Sequence, residues 1–239
     1  MNKTQLLEEL KQEGFSKPIL DAFSKIKREN FIPQELKLYA YNNEPLPIGK
    51  GATISQPYTI AFMLKLLELD KLNIDNLIQD KGGKSANKNN QTNKANKFSL
   101  ISNNNINKIK LLEIGSGCGY VLALINELVK NAEIYGIEII KELADESRQN
   151  LRNNKDIQII QGDGSKGISS KAPFDRILIS ASAKQMPEHL FEQLSDNGIL
   201  VCPVRNSIFQ IKNINNQIKV KEFPGFVFVP LVNSYCSGF

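Results

Sequence analysis

One segment limits what this chain can fold into more than any other: Leu111-Leu112-Glu113-Ile114-Gly115-Ser116-Gly117-Cys118-Gly119-Tyr120. An apolar run closed by alternating glycines demands a strand and then a tight turn whose backbone can approach a ligand. A helix follows, and its first amides face that ligand. The residues downstream keep the same rhythm. Apolar runs at 109–114, 133–137, 157–160, 174–180 and 199–204 read as strands, and 120–128, 141–151 and 187–194 read as helices between them. Strands alternating with helices predict an α/β fold: a doubly wound, mostly parallel sheet covered on both faces. Two later runs, 208–212 and 217–221, flank Asn213-Ile214-Asn215-Asn216 and predict a late antiparallel hairpin.

Ahead of the sheet lies a helical region. Leu6, Leu7 and Leu10 share one face of a first helix that ends near Gly14. Ser16 can cap a second helix with Pro18 in its first turn, and Phe31-Ile32-Pro33 breaks the pattern. A third helix begins near Ser55-Gln56-Pro57. Between this region and the sheet, residues 87–107 are dominated by Asn, Lys, Ser and Gln, which cannot bury enough apolar surface to offset their ordering entropy. The stretch 81–108 is therefore expected to be a flexible, low-complexity insert.

Composition excludes several chemistries. The three cysteines, Cys118, Cys202 and Cys236, are far apart and odd in number, which argues against a disulfide framework. One histidine, His189, cannot supply a His-rich metal site, so no metal is expected. No apolar run is long enough to cross a bilayer and the first residues lack the apolar core of a secretory signal, so a cytoplasmic location is expected. The net charge of +5 includes six lysines within 81–108, which leaves −1 for the other residues. That distribution argues against a nucleic-acid-binding face. No oligomer interface can be read, and a monomer is the default.

The glycine spacing separates two cofactor classes. A dinucleotide fingerprint would need glycine where Tyr120 stands. Glu113-x-Gly115-x-Gly117-x-Gly119 instead resembles the first motif of S-adenosyl-L-methionine-dependent methyltransferases. Glu138 closes the second strand, where an acid can accept hydrogen bonds from ribose hydroxyls, and Asp163-Gly164 closes the third, where an adenine would sit. After the fourth strand stands Ser180-Ala181-Ser182-Ala183 rather than the Asp/Asn-Pro-Pro-aromatic motif of amino-methyltransferases. Cys202-Pro203 inverts the Pro-Cys order of cytosine methyltransferases, and its apolar strand makes core packing the expected role of Cys202.

Further segments carry a narrower resemblance: Arg28-Glu29-Asn30-Phe31-Ile32-Pro33, Pro45-Leu46-Pro47-Ile48-Gly49, Thr53-Ile54-Ser55-Gln56-Pro57-Tyr58, Gly162-Asp163-Gly164, Ala172-Pro173-Phe174-Asp175-Arg176-Ile177 and Phe228-Val229-Pro230-Leu231. With them the chain resembles protein-L-isoaspartate O-methyltransferases over nearly everything except the insert. The resemblance implies a Rossmann-like methyltransferase fold and methyl transfer from S-adenosyl-L-methionine to the free carboxylate of L-isoaspartyl residues in damaged proteins. It leaves D-aspartyl residues open as a second acceptor. It implies Ser55 as the catalytic residue and cofactor contacts at Ala52, Thr53, Ile54, Glu113, Gly115, Ser116, Gly117, Gly119, Glu138, Asp163 and Gly164. The chain then divides into an N-terminal helical region with the substrate and cofactor loop (1–80), the insert (81–108) and the cofactor-binding α/β core (109–239).

The chemistry suits this residue set. A carboxylate is ionised at neutral pH and needs no general base, and the sulfonium methyl is already activated. The protein must align oxygen, methyl and sulfur and exclude water. Ser55 would donate a hydrogen bond to the acceptor carboxylate at a helix N-terminus while also capping that helix. Three features depart from the family pattern: the insert, Arg205 where glycine is usual, and Ile60 where some relatives carry a polar contact. Two other readings stand beside this one, a methyltransferase for a different acceptor and a cofactor-binding interaction module without catalysis.

Overall fold

The structure is a computed structural model that describes residues 1–72 and 108–228. The expected insert lies outside the described residues except for Lys108, as do Cys236 and the end of the Phe228-Val229-Pro230-Leu231 segment. Helices α1 (Lys3–Gln12) and α2 (Lys17–Lys25) lead into a small antiparallel pair, β1 (Leu46–Gly49) and β2 (Ala52–Ile54), and then α3 (Pro57–Leu66). Beyond them come β3 (Ile109–Ile114), α4 (Tyr120–Leu128), β4 (Ala132–Glu138), α5 (Lys141–Asn150), β5 (Ile157–Gln161) and β6 (Phe174–Ile179). Strands β7 (Leu194–Val204), β8 (Ser207–Ile214) and β9 (Gln217–Pro224) complete the order.

The large sheet runs β5-β4-β3-β6-β7-β8-β9. Strands β5 to β7 in that order are parallel, and β8 and β9 add antiparallel at the edge. The chain steps outward from β3 to β5, then returns to β6 on the opposite side of β3. The connections leaving β3 and β6 diverge there and open a crevice above the carboxyl ends of the strands. Side chains alternate between faces with the strand period of two. Leu111, Leu178 and Val201 join the core under the helices, whereas Leu112, Ile177, Ile179, Leu200 and Cys202 form the core of the other face. Glu113, two residues after Leu111, therefore points to the helical side.

The expected architecture and its late hairpin are present, with local differences that have physical causes. Residues 188–193 form a 3-10 turn rather than an α-helix, because β7 begins at Leu194 and leaves too little chain after Pro187. Strand β7 starts earlier than the apolar run because polar Ser195 and Asp196 are held by side-chain bonds, Ser195 Oγ donating to Asp175 (2.9 Å) and Asp196 accepting from the Asn215 amide (2.9 Å). The late turn is tighter than expected. Asn215 and Asn216 alone link β8 to β9, both with positive φ, as a hairpin twist favours. Ser16 occupies the N-cap of α2, yet its hydroxyl makes no cap bond.

The β1–β2 pair was not anticipated. Its strands are short, contain Pro47 and are joined through Lys50-Gly51, so no alternating pattern marks them. The end of α3 is anchored to the sheet by polar groups from below. Arg176 Nε donates to the Leu67 carbonyl at 2.6 Å, Gln210 donates to the Leu66 carbonyl, and Lys212 pairs with Glu68 at 2.6 Å. These bonds satisfy carbonyls that a helix C-terminus leaves orphaned. Replacing Arg176 by methionine should cost about 1–3 kcal/mol, because the buried Leu67 carbonyl loses its donor. Urea unfolding checks this, and an unchanged midpoint would place the anchor elsewhere.

Candidate active site

The crevice above β3 is built from two layers. From the sheet come the glycine loop and the end of β4; from the N-terminal region come the β1–β2 pair and Ser55. One cavity is walled by Thr53, Ile54, Ser55, Ile60, Met63, Glu113, Ser116 and Tyr120, among others. A second lies beside it and reaches Lys50, Ala52, Glu138, Ile140, Gly164 and Ala181. Ile48, Thr53, Gly115, Gly117 and Ser180 belong to both walls, so the two cavities adjoin as compartments of one cleft region.

Local chain geometry explains the glycines. Gly119 is the N-cap of α4 at φ 86°, and a Cβ there would sit 2.6 Å from Ser147 Oγ. At Gly164 a Cβ would meet Ile137 and Ile114 at 2.6 and 2.8 Å, so the turn after β5 presses onto the ends of β3 and β4. The loop is then fixed by Glu138. Its buried carboxylate accepts the Gly117 amide at 2.8 Å and the Ile140 amide at 3.0 Å, tying the turn after β3 to the turn after β4. Charge-assisted bonds of this kind are roughly twice as strong as neutral ones.

The N-terminal layer is locked to the same loop. Arg28, with no exposed surface, donates to the Ser55 carbonyl at 2.8 Å and to the Glu44 carbonyl at 3.2 Å. Its guanidinium lies 5.7 Å from the centre of the Tyr120 ring, against which Phe31 also packs edge-on. The Arg28–Pro33 segment thus clamps the first residue of α4 and fixes the backbone of Ser55.

The structure brings Ala52, Thr53, Ile54, Ser55, Glu113, Gly115, Ser116, Gly117, Glu138 and Gly164 to the cleft walls. Gly119 and Asp163 sit in the adjoining turns. Gly119 starts α4, and Asp163 caps a 3-10 turn by accepting the Ser165 amide at 2.8 Å. The expected capping role of Ser55 is corrected. Pro57 is the first helical residue of α3, so the N-cap is Gln56, and the Tyr58 amide is taken by Asn43 at 2.9 Å. Ser180 was missed. Its hydroxyl donates to Glu113 Oε1 at 2.6 Å, and its place at the end of β6, beside the end of β3, was the available signal. Cys118 is buried with its thiol pushed up to about 12 by desolvation, so it stays protonated; Cys202 is also buried.

Two buried atoms of residues in the cleft wall, Glu113 Oε2 and Ser116 Oγ, have no partner among the described residues. Such atoms call for a ligand that brings polar groups to them. Burial, assisted by the nearby Glu138 charge and opposed by the Ser180 hydrogen bond, pushes the Glu113 carboxyl up to about 8. A cationic amine and a ribose, as S-adenosyl-L-methionine carries, suit these atoms and the acids at the ends of β3 and β4.

Comparison with known proteins agrees with the geometry. The family model described as protein-L-isoaspartate(D-aspartate) O-methyltransferase matches residues 1–79 and 94–235. A protein-L-isoaspartate O-methyltransferase of Methanothrix thermoacetophila is 35% identical over 98% of this chain and 97% of its own. One from Thermosipho melanesiensis is 37% identical over 95% of this chain and 100% of its own. Among solved structures, a putative protein-L-isoaspartate O-methyltransferase from Plasmodium falciparum, in complex with S-adenosyl-L-homocysteine, shares the fold with a TM-score of 0.73. It is 23% identical and covers 97% of this chain and 99% of that one.

The buried acid has a consequence for stability. Between an unfolded value near 4.5 and a folded value of about 8, the folded chain holds a proton that the unfolded chain releases. Stability of the ligand-free protein should therefore fall as pH rises through that window, by at most ~1.4 kcal/mol per pH unit. Thermal unfolding from pH 5 to 8 measures it, and Glu113→Gln should flatten the slope.

Proposed function

The chain belongs to the protein-L-isoaspartate(D-aspartate) O-methyltransferase family, and from that premise we propose its reaction and the residues that serve it. The protein transfers a methyl group from S-adenosyl-L-methionine to the free carboxylate of L-isoaspartyl residues in damaged proteins. The methyl ester can then collapse to a succinimide, whose hydrolysis partly restores normal aspartate. The cofactor, when bound, supplies an activated sulfonium methyl.

The observation that carries the reading is the position of Ser55. It lies in the wall of the cleft that holds Glu113, Ser116 and Gly117, and also in the wall of an outer pocket lined by Pro45, Gln56, Thr59, Val227 and Phe228. A residue between an inner cleft and an outer one stands where a donor and an acceptor would meet. Glu138 and Gly164 would hold the ribose and adenine side, and Glu113 with Ser116 the amino-acid side. The Ser55 hydroxyl would orient the acceptor carboxylate, with Arg28 keeping its backbone in place. Apolar Ile54, Ile60 and Met63 keep water from the reacting line.

Gly119 at the start of α4 and Asp163 in the turn after β5 are the remaining expected cofactor contacts. No described helix is long and apolar enough to cross a membrane. The expected acceptors are isoaspartyl-containing peptides and proteins, and a cytoplasmic location fits a repair activity of this kind.

Ser55→Ala should lower turnover on an isoaspartyl peptide by about 10- to 100-fold, as loss of one charge-assisted hydrogen bond implies. The dissociation constant for the cofactor should stay within about twofold. Steady-state methylation beside calorimetric cofactor titration separates the two effects. Undiminished turnover would remove Ser55 from the site.

A further inference from the structure

Glu113 holds one loose end of the site. Its Oε1 accepts the Ser180 hydroxyl, while Oε2 is enclosed with no partner among the described residues. An ionised carboxylate left half-paired in such a place is costly, and the cheaper state is the neutral acid until a counter-charge arrives.

Among the described residues, the groups around it offer no free counter-charge. Glu138 at the end of β4 is another acid, and Cys118 and Tyr120 at the start of α4 are held neutral by burial. Ser180 and Ser55 bring hydroxyls. Arg28, the buried cation of the N-terminal layer, is engaged by the Ser55 and Glu44 carbonyls and the Tyr120 ring. Lys50 is paired with Glu142 at 2.7 Å on the outer side of the cleft.

We propose that Glu113 is a carboxylic acid in the free protein and surrenders its proton when the cofactor's α-ammonium enters, so that cofactor binding and proton release are one event. The inference rests on the S-adenosyl-L-methionine reading above. In the step, the Glu113 O–H bond breaks, the proton leaves to solvent, and the carboxylate keeps the electron pair. Its free Oε2 then accepts a hydrogen bond from the ammonium. A sulfonium cannot fill that role, because it has no hydrogen to donate to the open lone pairs.

The sign follows directly. Binding releases a proton, so affinity rises with pH while the free acid remains protonated, up to about pH 8. The dissociation constant for S-adenosyl-L-methionine should fall by nearly tenfold per pH unit below about pH 7 and level off as pH passes about 8. S-Adenosyl-L-homocysteine carries the same ammonium without the sulfonium and should show the same slope. 5′-Methylthioadenosine lacks the amino-acid portion and should show none.

The test is calorimetric titration of the full chain at pH 7 in buffers of different ionisation enthalpy. Close to one proton should leave per molecule of S-adenosyl-L-methionine or S-adenosyl-L-homocysteine bound, and Glu113→Gln should abolish both the release and the pH slope. Should that variant fail to fold, Ser180→Ala serves. It removes the hydrogen bond that favours the carboxylate and should move the pH window upward. Binding without proton release, equal release with 5′-methylthioadenosine, or an unmoved window in Ser180→Ala would each overturn the inference and leave the proposed function standing. Absence of binding by either adenosyl ligand at any pH would instead overturn the cofactor reading and the inference with it.

Discussion

Everything at this site hangs on a guanidinium that never meets solvent. Arg28 reaches the carbonyls of Ser55 and Glu44 and packs over Tyr120, so one side chain joins the N-terminal layer to the glycine loop. Removing a buried cation from its acceptors leaves uncompensated carbonyls, and that penalty keeps the two layers in register. Glu138 performs the matching task within the sheet by fastening the Gly117 and Ile140 amides. Arg176 and Gln210 then hold the far end of α3. Ser55, just ahead of α3, is therefore held from both ends of its layer, and its placement does not depend on capping that helix.

The cleft combines acids with cations that, among the described residues, are already engaged elsewhere, Arg28 by the Ser55 and Glu44 carbonyls and Lys50 by Glu142. That pairing suits a ligand carrying its own positive charge, and it also explains how the site works without a general base. The expected acceptor is already an anion, so the protein's contribution is alignment and exclusion of water. The scarcity of histidine, which would be puzzling for a hydrolase, is consistent with this chemistry. His189 sits outside the cleft walls, exposed, with a ring nitrogen 2.7 Å from the Ser165 carbonyl.

Much of this was legible in the residues. Long alternating segments such as 109–114, followed by 120–128, carry their own period and could be placed closely. The glycine loop and the acids closing β3 and β4 announced a ligand cleft, because each sits where a parallel sheet opens. What stayed hidden had no local signature. The β1–β2 pair is too short and too rich in Pro and Gly to show alternation, and its pairing is tertiary. Ser180, the last residue of the expected strand 174–180, carried no mark of a role until β6 was laid beside β3, which puts its hydroxyl on Glu113. The capping assignment of Ser55 failed by one position, because Pro57 sets the first helical residue and makes Gln56 the cap. The family resemblance supplied the role of Ser55; the spacing of residues did not.

The most direct test of the account is transfer of labelled methyl from S-adenosyl-L-methionine to two matched peptides, one containing L-isoaspartate and the other normal L-aspartate at the same position. The account predicts base-labile label on the isoaspartyl peptide and none on its partner. Equal labelling of both, or labelling of neither while the cofactor still binds, would contradict it.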